Sequence, residues 1–524
     1  MEMWLVLLAV LAGLLLILWF QCCSFLVYHL WRPKVLEKVM SAQGVTGPPQ
    51  KNLLTQIWEL PDMEQVSHDI VPHAIPFHHA RLQKCGPLHI NWWRVEPRVE
   101  LADIDLMRKA LLKGPEFFGK SPVLGMIADD IFGGGVFDAS GRDWVEQRRV
   151  VVPVFHADKI KGMVRTMYEN TQSFLENWVT LIRNGGTGEK ALDVFPEFVE
   201  LTAPIIGQAA FGASSSTSIA IVKLLRLLFA LQWQQVRYAW IFPFIRSLPF
   251  LPTNRERWRI KREIHRLLRV EIDSRRALTR ENCAASHGSD LLGTMLDSNW
   301  DDELIITESK TFYTTGHMSL TSLYSWVMLL LAVNPEWQEK ARVEVLELVA
   351  REGPLDNAQA LDKLKLVEMI IMETMRLYPA FPIIPRIALE DCYVDHLFIP
   401  KGLAVSVHNT VIQHSAEMWG EDANEFNPGR FANGSLAASK HPMAFMPFSF
   451  GARACVGRAY SQVQAKVVVA SLLQRFRWSL SPDYRHNPVA AGLLLPKNGV
   501  PIVLKLLDSK TIVTNGMKAT GERS

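Results

Sequence analysis

The chain of 524 residues is 48% hydrophobic and 21% charged, globular proportions that exclude a disordered or low-complexity protein. A formal net charge of +3 gives no reason to expect nucleic acid as a partner. The six cysteines, at 22, 23, 85, 283, 392 and 455, form no C-x-x-C pair and no dense run, which argues against a disulfide framework or a zinc site and for a reducing compartment.

In chain order, Met3 to Phe20 is almost unbroken Trp, Leu, Val, Ile and Ala, and the apolar character continues patchily to Leu30. That is enough to span roughly 30 Å of hydrocarbon as one helix. Glu2 precedes the run and Arg32, Lys34 and Lys38 follow it, so residues 1–30 read as a retained transmembrane anchor with the bulk of the chain in the cytosol. Residues 31–50, basic and then rich in Gly and Pro, read as a stiff hinge, 51–510 as the catalytic body, and 511–524 as a loose polar tail.

His68, His73, His78 and His79 read as solvated or packing histidines rather than metal ligands. Pro87 to Arg98 predicts a strand pair with its turn at Glu96-Pro97, and Asp103 to Leu112 a short helix. Phe117 to Phe137 is apolar and ends in Gly133-Gly134-Gly135; it matches neither a dinucleotide fingerprint nor a phosphate loop and reads as a pocket cover. Trp144 and Arg148 then share a helix face, one turn apart. Helical periodicity runs over 157–182, 197–211 and 219–232, and a charged amphipathic helix over 254–280. Between these last two, Trp240 to Pro252 is suited to dip into a membrane surface or to cap a pocket.

Asp301 to Val333 is the longest apolar helical run of the body, so it is expected in the core. Thr315, Gly316 and Ser319 fall together on one of its faces. The mid-helix glycine, which costs up to about 1 kcal/mol against alanine, makes room for something. Leu361 to Leu377 predicts a helix with Glu373 and Arg376 as a buried ion pair, which Arg430 can join. Pro385 to His408 reads as a small β-region, and 476–480 with 493–506 as a second small sheet.

Phe448-Ser-Phe-Gly451-Ala-Arg453-Ala-Cys455-Val-Gly457 precedes a helix over 458–474. A helix N-terminus stabilises a thiolate, glycines admit a flat group close to the backbone, and Arg453 offers a fork for a carboxylate. These demands suit a haem iron held by Cys455, with Arg453 on a propionate.

The chain resembles a cytochrome P450 from the anchor to about residue 506. Phe448-x-x-Gly451-x-Arg453-x-Cys455-x-Gly457 is similar to the family's haem loop, Glu373-x-x-Arg376 to its ion-pair motif, and Phe426-x-Pro428-x-Arg430-Phe431 to the partner of that pair. Trp144-x-x-x-Arg148 and Pro385-Arg386 resemble haem-propionate contacts. Segments 414–431 and 334–337 look like those of the plant microsomal clan that modifies gibberellins, brassinosteroids, cytokinins and other isoprenoids.

The resemblance implies a mainly α fold with small β-sheets behind the N-terminal transmembrane helix, haem b, and Cys455 on the iron. It also implies Trp144, Arg148, Arg386, Phe448, Arg453 and Gly457 about the haem, and Thr315, Gly316 and Ser319 across from it. Electrons would come from NADPH–cytochrome P450 reductase, and the place would be the endoplasmic reticulum membrane, single-pass, with the catalytic body in the cytosol.

Where family members carry Ala-Gly-x-(Glu or Asp)-Thr-Thr, this chain has Thr315-Gly316-His317-Met318-Ser319-Leu320. A serine still donates a hydrogen bond, but methionine cannot relay a proton. Three readings follow. The first is a monooxygenase acting on a lipophilic molecule such as a terpenoid or steroid, with protons from Thr315, Ser319, ordered water or a substrate hydroxyl. The second is an atypical member catalysing rearrangement, isomerisation or dehydration. The third is a haem-binding protein of low turnover. Phe118–Phe132, Leu228–Trp233, Phe312, Ala380–Ile384 and Leu493–Leu495 are candidates for the apolar pocket.

Overall fold

A helix begins where the sequence suggests a hinge. In the computed structural model, α1 (Arg32–Ser41) buries Leu36 and Met40. Beyond it, the Ile90 N–H donates to the Thr46 carbonyl at 3.1 Å. Residues 31–49 are thus fastened to the body, which corrects the hinge reading: two apolar side chains at i and i+4 outweigh the proline and glycine that follow. The structure describes residues 4, 12, 13, 16, 19, 20, 23, 26–49, 63, 65–93, 96–120, 129–239, 243–283 and 285–507. Most of the expected anchor lies outside them; Trp4, Leu16, Trp19, Phe20, Leu26 and Leu30, which are described, are all more than half exposed.

The main sheet is built early and late in the chain. α2 (Pro76–Cys85) leads to β1 (Leu88–Trp93) and β2 (Glu96–Leu101), then α3 (Ile104–Leu112) and β3 (Phe118–Gly119). Trp92 pairs with Pro97 and Trp93 with Glu96, so Glu96-Pro97 opens β2 and is not the turn. Proline is tolerated there because pairing to the next strand starts only at Arg98. Asp103 caps α3 by accepting the Leu106 N–H at 2.9 Å.

The helical body follows as α4 (Gly141–Val151), α5 (Ala157–Asn184), β4 (Glu189–Asp193), α6 (Val194–Phe211), α7 (Ser215–Ala239), α8 (Pro252–Glu281) and α9 (Leu291–Leu296). The central helix, α10 (Asp302–Val333), starts at Asp301, whose carboxylate accepts the Leu304 N–H at 2.8 Å. It lies along α6: Phe211 stacks on Tyr313 at 4.5 Å, and the Thr202 and Thr321 hydroxyls are 3.1 Å apart. Ser215–Gln235 and Asp302–Val333 are long and apolar enough to cross a membrane, but most of the second is buried within the protein, as a core helix should be.

After α11 (Pro335–Glu352) the stretch expected as one helix is two, α12 (Ala358–Leu361) and α13 (Lys365–Leu377). The break has a tertiary cause. The Glu344 carboxylate of α11 accepts the N–H groups of Lys365, Leu366 and Val367, which fixes a new helix start. β5 (Ile384–Ala388), β6 (Cys392–Val394), β7 (Leu397–Ile399) and β8 (Ala404–Val407) follow, and the five-stranded sheet runs β1-β2-β8-β5-β3. Only its β2–β8 pair is parallel.

Beyond α14 (Arg458–Arg475) lie β9 (Phe476–Leu480), β10 (Pro488–Ala491), β11 (Leu493–Pro496) and β12 (Pro501–Leu506). The expected second sheet is two: β4-β12-β9, and a separate β10–β11 pair. Gly499, at φ 71°, turns the chain between β11 and β12 and breaks what looked like one strand.

Candidate active site

The cysteine loop is held by its own backbone. The Cys455 N–H donates to the Phe448 carbonyl at 2.9 Å, and the Ala454 N–H to the Gly451 carbonyl at 3.1 Å. Gly451 takes φ 72° and passes so close to α3 that a β-carbon would lie 2.1 Å from the Leu111 carbonyl oxygen, so no larger residue fits. Gly457 follows the cysteine; a β-carbon there would stand 3.8 Å from Sγ. Burial pushes the Cys455 thiol up, against the Gly457 N–H, Arg148 and Lys120, so burial outweighs the helix end that the sequence suggested would stabilise the thiolate. Yet Cys455 keeps accessible surface. Both hold if the sulfur faces a space that the chain encloses.

Cations gather beside this loop in excess of anions. The Arg453 guanidinium lies 4.7 Å and that of Arg148 5.2 Å from the Trp144 ring centroid. Arg453 donates to the Ala139 carbonyl at 3.0 Å, but its Nε is buried without a partner. Arg148 donates to the Ala454 carbonyl at 2.8 Å. Arg386 is buried and donates to its own neighbour, the Pro385 carbonyl. Burial and then repulsion from Arg453 lower it to about 10. Lys120 is held well below the ordinary lysine range by burial, Arg386 and Arg453. Asp138, the carboxylate within this group, is itself pushed up by burial.

A cluster of this sign calls for a buried dianion, because unpaired charge in the core is costly. The two propionates of a haem fit that demand, and the accessible sulfur fits its iron. Lys120 was not singled out in the sequence; an isolated lysine in an apolar stretch is the one signal that could have found it. Phe448 lies 6.0 Å from the Arg458 guanidinium and shapes the loop.

Across the core, α10 supplies a second lining. From Thr311 to Leu331 every residue is buried except Thr315, Gly316, Met318 and Ser319, which keep part of their surface accessible. The Thr315 hydroxyl donates to the Thr311 carbonyl at 2.9 Å and the Ser319 hydroxyl to the Thr315 carbonyl at 3.0 Å. Gly316 does make room: a β-carbon would stand 2.7 Å from Ile206 Cγ1 of α6. His317 turns away into the core, its Nδ1 on the Tyr313 carbonyl at 2.7 Å, and burial lowers it to about 4. Of the pocket candidates, Phe312 is taken up in the core, stacked on Phe155 at 5.4 Å, and residues 121–128 lie outside the described set.

The loop that reaches Cys455 rests on the expected ion network. Arg376 makes two bonds to Glu373 and donates to the carbonyls of Gln413, Ala423 and Glu425. Arg430 joins, with Nε 3.4 Å from Glu373. Elsewhere, among the described residues, one group of side chains has metal-ligand character: His78, Glu100 and His408. His408 donates to the wholly buried Glu100 at 2.5 Å, Asn91 donates to it at 2.8 Å, and the field of Arg81 reaches it. A carboxylate so well supplied with protons and positive charge is a structural counter-ion, in keeping with the packing role read for His78.

Comparison with known proteins agrees with this geometry. The family model for cytochrome P450 matches residues 48–504. A cytokinin hydroxylase of Arabidopsis thaliana is 36% identical over 502 residues, covering 93% of this chain and 95% of its own. Cytochrome P450 734A1 of the same plant is 33% identical, covering 91% and 93%. An 11-oxo-beta-amyrin 30-oxidase of Glycyrrhiza uralensis is 32% identical, covering 92% and 95%. The chain belongs to the cytochrome P450 family: it is a monooxygenase of the oxidoreductase class, in a family that binds haem iron through a cysteine thiolate.

Proposed function

We propose that this chain oxidises a lipophilic small molecule, terpenoid- or steroid-like, at a haem b whose iron is held by Cys455. The observation that carries the assignment is the convergence of Lys120, Arg148, Arg386 and Arg453 beside an accessible buried-loop cysteine, with Asp138 the carboxylate that acts on Lys120 and Arg453 among the described residues. When bound, the haem supplies an iron that activates oxygen. Arg148, Arg386 and Arg453 would hold the propionates by charge-assisted hydrogen bonds, with Trp144 packed against the guanidiniums of Arg148 and Arg453. Phe448 and Gly457 keep the sulfur approachable. Thr315, Gly316 and Ser319 line the opposite side of the cavity, where the hydroxyls orient substrate and water and hold protons.

Electrons come from NADPH–cytochrome P450 reductase, since the chain has no dinucleotide fingerprint of its own. Just past Cys455, α14 borders a surface groove of about 210 Å³ lined by Met372, Met375, Ala459, Val463 and Lys466, where such a flavoprotein can seat. Residues 1–30 anchor the body to the endoplasmic reticulum membrane with the catalytic body in the cytosol; the exposure of Trp4, Trp19 and Phe20 suits lipid contact. Relatives named cytokinin hydroxylase and 11-oxo-beta-amyrin 30-oxidase support a small-molecule substrate.

Cys455→Ser tests the ligand: it should abolish the thiolate spectrum of the carbon monoxide adduct, and survival of that spectrum would remove the assignment. Met318, in place of an acid, favours a second reading, rearrangement or dehydration without net oxidation. Purified protein with reductase separates the two, because product without oxygen consumption belongs to the second alone.

A further inference from the structure

A carboxyl on α10 has one oxygen that nothing holds. Glu308 is wholly buried. One of its oxygens accepts the Val136 N–H at 2.6 Å, while Oε2 has no partner. A β-carbon added to Gly135 would lie 2.9 Å from Thr311 Oγ1 and 3.4 Å from Glu308 Oε2, so both oxygens border the same small gap. Burial, opposed by the Val136 N–H, lifts the Glu308 carboxyl to about 7. A carboxyl so raised can take up and give back a proton near neutral pH.

From that gap a row of hydroxyls runs along the helix. Thr311, Thr315 and Ser319 recur every four residues and share a face. Each donates to the carbonyl four residues back, at 2.9 to 3.0 Å, which leaves lone pairs on each oxygen to accept a proton. Successive hydroxyls are separated by a rise of about 6 Å, a gap that one water bridges. The row ends at Ser319, in the stretch of α10 that keeps accessible surface. Met318 and Leu320, on either side of Ser319, cannot pass a proton.

We propose that Glu308 is the proton store for this enzyme's oxidation, acting through Thr311, Thr315 and Ser319 with waters between them. The proposal rests on the haem reading above. In the relay no electrons move. The Glu308 Oε2–H bond breaks as a bond to an intervening water forms, that water passes one of its own protons to Thr311 Oγ1, and Thr311 gives up its hydroxyl proton along the row. Ser319 releases its proton into the space it borders and is reprotonated from behind, and between turnovers the carboxylate regains a proton from water through the same row. The electrons that accompany these protons come from the reductase flavin.

Glu308→Gln keeps an acceptor for the Val136 N–H and removes the acid. In resting holoenzyme, difference infrared spectra should show a carboxylic acid band that titrates near neutral pH and is missing from Glu308→Gln. With substrate and reductase, the variant should keep its haem content and melting temperature. Its product per NADPH should fall ~10-fold or more, with peroxide taking the balance and a larger solvent isotope effect. Glu308→Asp should recover part of the coupling, which a merely structural side chain would not. A band that persists in Glu308→Gln, or coupling equal to wild type, overturns the relay. The infrared titration needs no substrate. A wild type with the band but no oxidised product therefore overturns the functional reading and leaves the proton store standing.

Discussion

Arg376 and Glu373 form a fully buried ion pair, Nε to Oε2 at 2.7 Å and Nη2 to Oε1 at 2.8 Å, one helical turn apart on α13. The remaining arginine donors go to carbonyls of the segment that leads to the cysteine loop. Breaking such a pair costs roughly 3–5 kcal/mol, because it leaves a buried charge alone. Glu373→Ala should therefore yield protein without haem, seen as loss of the Soret absorbance and of the cooperative melt; Glu373→Gln should be milder.

Lys120, which lies in the field of Arg386, Arg453 and Cys455, is tested as a member of the proposed haem site by retention. Charge-assisted hydrogen bonds contribute roughly 1.5–3 kcal/mol each. Lys120→Met should speed haem transfer to an acceptor protein about 10- to 100-fold, with Arg453→Leu at the upper end. An unchanged rate for Lys120→Met would place that side chain outside the propionate cluster.

Gly316→Ala tests the packing of α10 on α6. The new methyl would stand 2.7 Å from Ile206 Cγ1 and 2.9 Å from Cδ1. Overpacking of this kind costs about 1–3 kcal/mol, against which alanine returns about 1 kcal/mol of helix propensity. The melting temperature should drop for Gly316→Ala and be restored in part by adding Ile206→Val. Additive losses in the double variant would count against the contact.

Met318→Glu places an acid directly before Ser319. It should raise product formed per NADPH and lower peroxide release in coupled assays with the reductase. A drop in coupling would mean that the row of hydroxyls alone is the better route.

Acid should weaken the fold before it reaches ordinary carboxylate range. Burial lowers His68, His414 and His486 from 6.5 to about 4. Between those values the unfolded chain binds protons that the folded chain refuses, so stability is intact above about pH 6.5 and declines toward pH 4. Each unit of depression corresponds to about 1.4 kcal/mol. The melting temperature should hold above pH 7 and fall by several degrees by pH 5; a flat curve would contradict the buried neutral state.

Local signals made much of this legible. The start of α10 was readable because Asp301 is a side-chain cap, and the Glu373–Arg376–Arg430 network because its residues sit at fixed spacing on an apolar helix. What escaped depends on distant partners. α13 starts where Glu344, far back in the chain, accepts its first N–H groups. β11 and β12 part because one pairs with β10 and the other with β4 and β9. Lys120 and Glu308 are single charged residues without a motif, and their meaning comes from burial beside groups that only folding brings near.

The docking of α1 bears on how the enzyme meets its membrane. With residues 1–30 in the bilayer as proposed, the segment from Arg32 onward is no slack leash, because Leu36 and Met40 are already in the core and Thr46 is bonded to β1. Under that proposal the body would be held close to the lipid surface, with little free chain between the two. A soluble form should accordingly be cut ahead of Arg32; a cut at Pro49 would remove part of the core along with the tether.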